Sequence, residues 1–360
     1  MSAPLTPIRS ALRCAVASLA AVVLAVTTTV GLPGQQKVAT VTTSLTTASH
    51  PALAAMVQAT CQQDYTIEQL RRFRSPKGKV TTVRELLEVN ANGTLKPQFR
   101  LTMLSVIGEP PGSPVETEWR RNYARFGDTL FRHGSFHVRD LLKASANYTV
   151  HSFGAVTIAN RSAQCLVVYP NYGGRAIWVV YVDAQAGIPL YVAEFDDNLR
   201  LFAEIEALNF SPVAPQLSAV PTQATSQITS QAVGSFHAAA AQFVTGGAKL
   251  VDPATSTMPS FSLGGVEVRT DSLNGRQKLL MSYTDGIDEF IVEQSPGSQD
   301  PFQGLPSQAG GAHTIARFHD ATLDAMVFFD DSVVFHVSGR GSLGGLDRVA
   351  QDILRQALAQ

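Results

Sequence analysis

No acidic residue occurs before Asp64, and Arg9, Arg13 and Lys37 are the only Lys, Arg, Asp or Glu in that stretch. A charged, solvated N-terminal domain is thereby excluded. What stands there instead is a basic start followed by the apolar run CAVASLAAVVLAV (14–26), the pattern of a secretory signal. Carried on through TTTVGL, the run approaches the length of a membrane anchor. No small-x-small cleavage site follows it directly; Ala52-Leu-Ala54 fits but lies far downstream. The protein is expected outside the cytoplasm, in the periplasm or on the outer face of the membrane. Residues 1–32 then form a signal peptide or anchor, with cleavage left open.

Cysteine is scarce: three residues, one of them inside the apolar run. A disulfide framework and a cysteine-built metal site are both excluded. In an oxidising compartment Cys61 and Cys165 either pair, closing a loop of about a hundred residues, or stand as two separate buried thiols. Charge is sparse too, at 16% of residues with a formal net charge of -1. A basic field for nucleic acid is absent; RRFRSPKGK (71–79), the densest basic cluster, reads as a solvated helix end and turn. There is no G-x-S-x-G, H-E-x-x-H, P-loop or C-x-x-C. The expectation is a protein that is not an enzyme and takes no cofactor or metal.

What the chain does have is length and apolar content, 360 residues of which 45% are hydrophobic, enough for two cores. Residues 33–59 read as a tether and the start of a first helix (48–59). TIEQLRRF (66–73) reads as a second helix, since Thr66 and Gln69 have capping-box spacing. VTTVRELLEV, NANG and LKPQFRLTMLSVIG read as strand, turn and strand. ETEWRRNYARFGDTLFRHG (116–134) reads as further strand with a turn at Phe126-Gly-Asp, and 137–146 as a short helix. VTIANRSAQCLVVYP, RAIWVVYVD, IPLYVAEF and LRLFAEIEALNF then form an antiparallel meander of four strands. RAIWVVYVD is apolar on both faces, so both faces of that sheet need cover. The charge-free stretch 211–235 reads as a linker. Beyond it lies a second α+β module of strands closed by one helix.

Two motifs look like chemistry and are read as structure. Gly339-Arg-Gly341-Ser-Leu-Gly344 matches the dinucleotide fingerprint, but no parallel strand and no ribose-binding acid follow it before the sequence stops. His133-Gly-Ser-Phe-His137 has metal-like spacing only on a helix, and its glycine argues for turn and strand. His313 with His319, Asp196-Asp197 and Asp330-Asp331 read as turn and surface residues. Asn92, Asn147 and Asn160 open glycosylation sequons, which matter only in a eukaryotic secretory pathway.

Asn147-Tyr148, Asn160-Arg161, Arg175, Asp183, Gly187-Ile-Pro189-Leu190 and Phe210, in a run of strands and hairpins, resemble the N-terminal domain of the MucB/RseB regulators of extracytoplasmic sigma factors. SYTDGIDEFIVEQ (282–294) and VVFHVSGRGSLGGLDRVAQDI resemble the closing strands and helix of the same family. Asn160 stands where that family has glycine, and the first strands match poorly. The resemblance implies an α+β fold, an antiparallel half-barrel sheet with helices on its concave side (60–210), as in the LolA/LolB lipoprotein carriers. A smaller α+β domain (236–360) follows it. It also implies a membrane-anchored anti-sigma factor as partner and lipid-like signals. The alternative is a lipid or lipoprotein carrier holding an acyl chain. Should a groove exist, Trp178, Tyr181, Tyr191 and Phe195 are its candidate lining; otherwise they are ordinary core.

Overall fold

In the computed structural model, the described residues are 50–360, except 75–77, 133, 174, 197, 218–227, 243–249, 253–257, 272–276, 297–315, 320–322, 331–332, 341–344 and 360. The apolar run 14–26, His133, Asp197, His313, Asp331 and the residues Gly341–Gly344 lie outside them. Among the described residues no helix is long and apolar enough to cross a membrane.

The first sheet has eight strands, each antiparallel to its neighbours. They are β1 (Tyr65–Arg74), β2 (Val80–Asn90), β3 (Gln98–Val106), β4 (Tyr148–Ile158), β5 (Arg161–Pro170), β6 (Ile177–Asp183), β7 (Pro189–Phe195) and β8 (Leu201–Ser211). Their order across the sheet is β3-β2-β1-β8-β7-β6-β5-β4. Two meanders are thus stitched together where β1 pairs with β8.

Helices lie on one face of this sheet. Ala52, Leu53 and Met56 of α1 (Pro51–Gln62) join Leu166, Val168, Trp178, Val180, Val192 and Ile205 in one core cluster. That cluster also takes Ala144 of α3 (Leu141–Asn147). Trp119, Tyr123 and Leu130 of α2 (Pro114–Arg132) pack with Phe73, Val83, Met103 and Val106 on β1–β3. The fold is α+β, with helices against one side of a large open antiparallel sheet, as the resemblance implied.

The second sheet has the order β13-β14-β15-β12-β11-β10-β9. Its strands are β9 (Ile228–Val233), β10 (Ser262–Asp271), β11 (Gln277–Thr284), β12 (Glu289–Pro296), β13 (Ala316–His319), β14 (Leu323–Asp330) and β15 (Val333–Arg340). Leu346, Val349, Ala350, Ile353 and Ala357 of α5 (Leu346–Ala359), with Ala239 of α4 (Phe236–Gln242), complete its core. Gln294 is fully buried there, and its amide is satisfied by the backbone N–H and carbonyl of Val251. By its contacts, Ala48–Gln360 forms one compact unit.

The structure departs from the sequence reading at four places. TIEQLRRF is strand β1, not helix: Tyr65, Ile67, Gln69, Arg71 and Phe73 alternate inward. Two of those inward residues are polar, which disguised the alternation. ETEWRRNYARFGDTLFRHG is helix α2, not strand. Ser113 Oγ accepts the Glu116 backbone N–H while the Glu116 carboxylate accepts that of Gly112, and Pro114 opens the helix. The first run of the meander is a hairpin of β4 and β5, because Ala159 and Asn160 both take positive φ, the geometry of a two-residue turn. Finally β9 forms inside the stretch read as linker; Ile228, Thr229 and Val233 suit a strand, and β9 pairs with β10.

Cys61 and Cys165 are free thiols. The sheet itself separates them. Cys61 is on α1, which packs on the Leu166 face, while Cys165 neighbours Tyr181 on the opposite face. Burial pushes the Cys165 thiol up to about 11. Alkylation of the native protein followed by peptide mapping should mark Cys61 and spare Cys165 until denaturant is added. A Cys61–Cys165 peptide under non-reducing conditions would contradict this arrangement.

Candidate functional site

β6 is buried along its whole length, so both faces are covered as expected. The four groove candidates do not share a face. Tyr181 stacks on Tyr191 with ring centroids 4.6 Å apart, and Phe195 lies opposite Ile177 on that same side. Trp178 points to the other side, 1% exposed, edge-on to Phe136 at 5.3 Å. The Arg340 guanidinium caps its ring at 4.4 Å. All four are core residues, and a substitution at Trp178 probes packing rather than a groove.

On the helix face there is a cavity of about 50 Å³. Met56, Ile67, Leu87, Phe136, Val192 and Ile205 are among its walls, and none of the four candidates is. A pocket for a small organic ligand starts at roughly 300 Å³. At this size the cavity is too small for an acyl chain. His137 borders it with Nε2 2.9 Å from the Phe131 carbonyl. Burial, and then the nearby Arg139, push this imidazole down to about 3, so it is neutral and donates to that carbonyl.

Beside the cavity, Glu85 is completely buried between three donors. It accepts from Gln69 Nε2 at 2.5 Å, Arg71 Nε at 2.9 Å and Tyr123 Oη at 2.5 Å. Arg71 also donates to the Gly134 carbonyl at 2.7 Å and so ties the end of α2 to β1. Every group in this network has a structural partner.

The densest chemistry lies where the two sheets meet. The β11–β12 turn, Thr284-Asp-Gly-Ile-Asp288, inserts against α3 and β4. Asp285 Oδ1 accepts the backbone N–H groups of Ile287 at 3.1 Å and Asp288 at 2.9 Å, which shapes the turn. Its Oδ2 pairs with Arg175 and accepts Tyr148 Oη–H at 2.8 Å. Asn147 Nδ2 donates to the Asp285 carbonyl at 2.8 Å. Gly286 accepts from the backbone N–H groups of Arg139 and Asp140. From the far side Arg340 reaches Glu194 at 3.1 Å and the Ser135 carbonyl at 3.0 Å, with its Nε 3.5 Å from Asp288. Arg139 lies 3.4 Å from Glu289. Ile287 is fully buried in the first sheet's core.

Comparisons with known proteins add the following. No protein-family model matches the chain, and no curated protein matches it. Among solved structures it is similar to the crystal structure of MucB, 16% identical with a TM-score of 0.47, covering 84% of this chain and 96% of that one. It is also similar to MucB in complex with MucA(peri), at 17% identity and 0.45, covering 84% and 97%. The Pseudomonas aeruginosa MucA/MucB complex is a third, at 15% and 0.42, covering 83% and 96%.

The motif residues that carry the resemblance divide by role in the structure. Asn147, Tyr148, Arg175, Asp285 and Gly286 meet at the joint between sheets. Asp183 and Gly187 instead build the β6–β7 turn: Asp183 accepts the N–H groups of Gln185 and Ala186 and pairs with Arg161. Although burial pushes its carboxyl up, these partners hold it below the usual range. Arg340, Glu194 and Arg139 were not singled out in the sequence. A lone arginine ending a strand gives no sign that it will be buried. Among the described residues no group of three His, Cys, Asp or Glu side chains is placed to hold a metal.

Proposed function

We propose that the chain is a non-enzymatic, extracytoplasmic regulator that binds a membrane-bound anti-sigma factor and responds to lipid-like envelope signals. The observation that supports this reading most directly is the joint. Residues that carry the sequence resemblance in two distant parts of the chain, Asn147, Tyr148 and Arg175 in one and Asp285 in the other, bond to each other. Motif residues shared only by chance would have no reason to converge. The buried titratable groups there are engaged in holding backbone and ion pairs, a use that suits a binding scaffold better than turnover. In this reading residues 60–210 and 236–360 are two modules, and 211–235 joins them, with its end giving β9 to the second.

A lipid signal needs room that the 50 Å³ cavity lacks. It enters only if α1 or the segment after α2 lifts from the sheet, and each buried CH₂ then contributes about 0.8 kcal/mol. Envelope proteins solubilised in mild detergent and captured on the purified chain test the proposal. The expected companion is a single-span membrane protein whose cytoplasmic part holds a sigma factor. Co-purified lipid with no such protein would favour the carrier alternative. Ester or peptide turnover abolished by one point change would overturn both.

A further inference from the structure

We propose that the joint between the sheets is a proton-sensitive clasp, closed when Asp288 carries a proton and loosened when it loses it. The geometry points to a second donor. Tyr148 has one hydroxyl proton, and it is committed to Asp285 Oδ2 at 2.8 Å. The Tyr148 oxygen nevertheless sits 3.3 Å from Asp288 Oδ2, an O···O approach that becomes a hydrogen bond when the acid does the donating. The other carboxyl oxygen of Asp288 is buried and makes no hydrogen bond; its nearest cation is Arg340 Nε at 3.5 Å.

The ion-pair distances point the same way. The joint gathers the guanidinium groups of Arg139, Arg175 and Arg340 with the carboxyls of Glu194, Asp285, Asp288 and Glu289. Each of the three guanidinium groups has an acid closer to it than Asp288. His137 is neutral and adds nothing. Of the four acids, Asp285 holds Arg175, Glu194 holds Arg340, and Glu289 holds Arg139. Asp288 is left with the longest ion-pair distance of the four, 3.5 Å.

Burial, and then the neighbouring Asp285, raise the Asp288 carboxyl to about 7. An aspartate in an unfolded chain titrates near 4. The folded joint therefore binds this proton more tightly than the unfolded chain does, and the stabilisation is whole below pH ~4. It declines as pH rises and is gone above about 7. Mild acid closes the clasp and mild alkali loosens it.

The test uses the whole protein with ¹³C-labelled aspartate carboxyls. One buried carboxyl should titrate near neutrality, and Asp288→Asn should remove that signal. Melting temperature measured from pH 5 to 8 should fall in the native protein by on the order of 5 °C more than in Asp288→Asn. Equal slopes overturn the proposal. If the variant does not fold, the carboxyl titration of the native protein decides alone: no buried aspartate titrating above about pH 5 overturns it.

Discussion

Gly286→Ala should unfasten the two sheets from each other. Gly286 has φ +111, a region that side chains with a Cβ avoid. An added Cβ would lie 2.1 Å from the Ala144 nitrogen and 2.6 Å from its Cα. Both are backbone atoms of α3, whose first turn is already held by Asp140 at its N-cap, so the obstacle cannot swing aside. Strain and overpacking together should cost about 4 kcal/mol. Chemical denaturation, followed by the fluorescence of the buried Trp178, measures it. Gly93→Ala is the control. It has φ +77 with nothing within 4 Å, so it carries the backbone strain alone, ~1 kcal/mol. Equal effects at the two glycines would mean that the turn does not dock against α3.

Arg340→Met should cost nearly as much for a different reason. The arginine is 4% exposed and satisfies Glu194, the Ser135 carbonyl and the face of Trp178 at once. Methionine fills much of the volume but strips Glu194 of a cation in a dry site, and breaking such a pair costs roughly 3–5 kcal/mol. Adding Glu194→Gln should restore part of the loss, since a neutral amide is cheaper to bury than a carboxylate that has lost this cation. The double-mutant cycle reads the coupling directly. Simple additivity would show that the pair does not form.

Much of the strand content was legible because β2, β3 and β8 mix apolar and polar positions in strand fashion, while β5–β7 are apolar runs of strand length between turn residues. The errors were also physical. β1 buries Gln69 and Arg71 toward Glu85, so its inward face does not look apolar. α2 carries Gly127 in its middle, which suggested a turn, yet the Ser113-to-Glu116 capping box was there to be read. The groove candidates failed for a subtler reason. Sequence shows that a strand is apolar on both faces, but whether the chain's own helices and arginines supply the cover is decided by residues far away. Arg340 over Trp178 joins positions with no local relation.

That distance has a bearing on how the protein is made. The first sheet ends at Ser211, while the groups that neutralise Arg175 and Glu194 come from Asp285 and Arg340. A chain emerging from its N-terminus therefore completes one layer with these charges still wet. Docking must wait for the C-terminal strands and then drive water off several ions together, a late and slow event. Chains truncated before residue 285 should keep the first layer's strands yet leave its arginine-lined seam bare and prone to stray association.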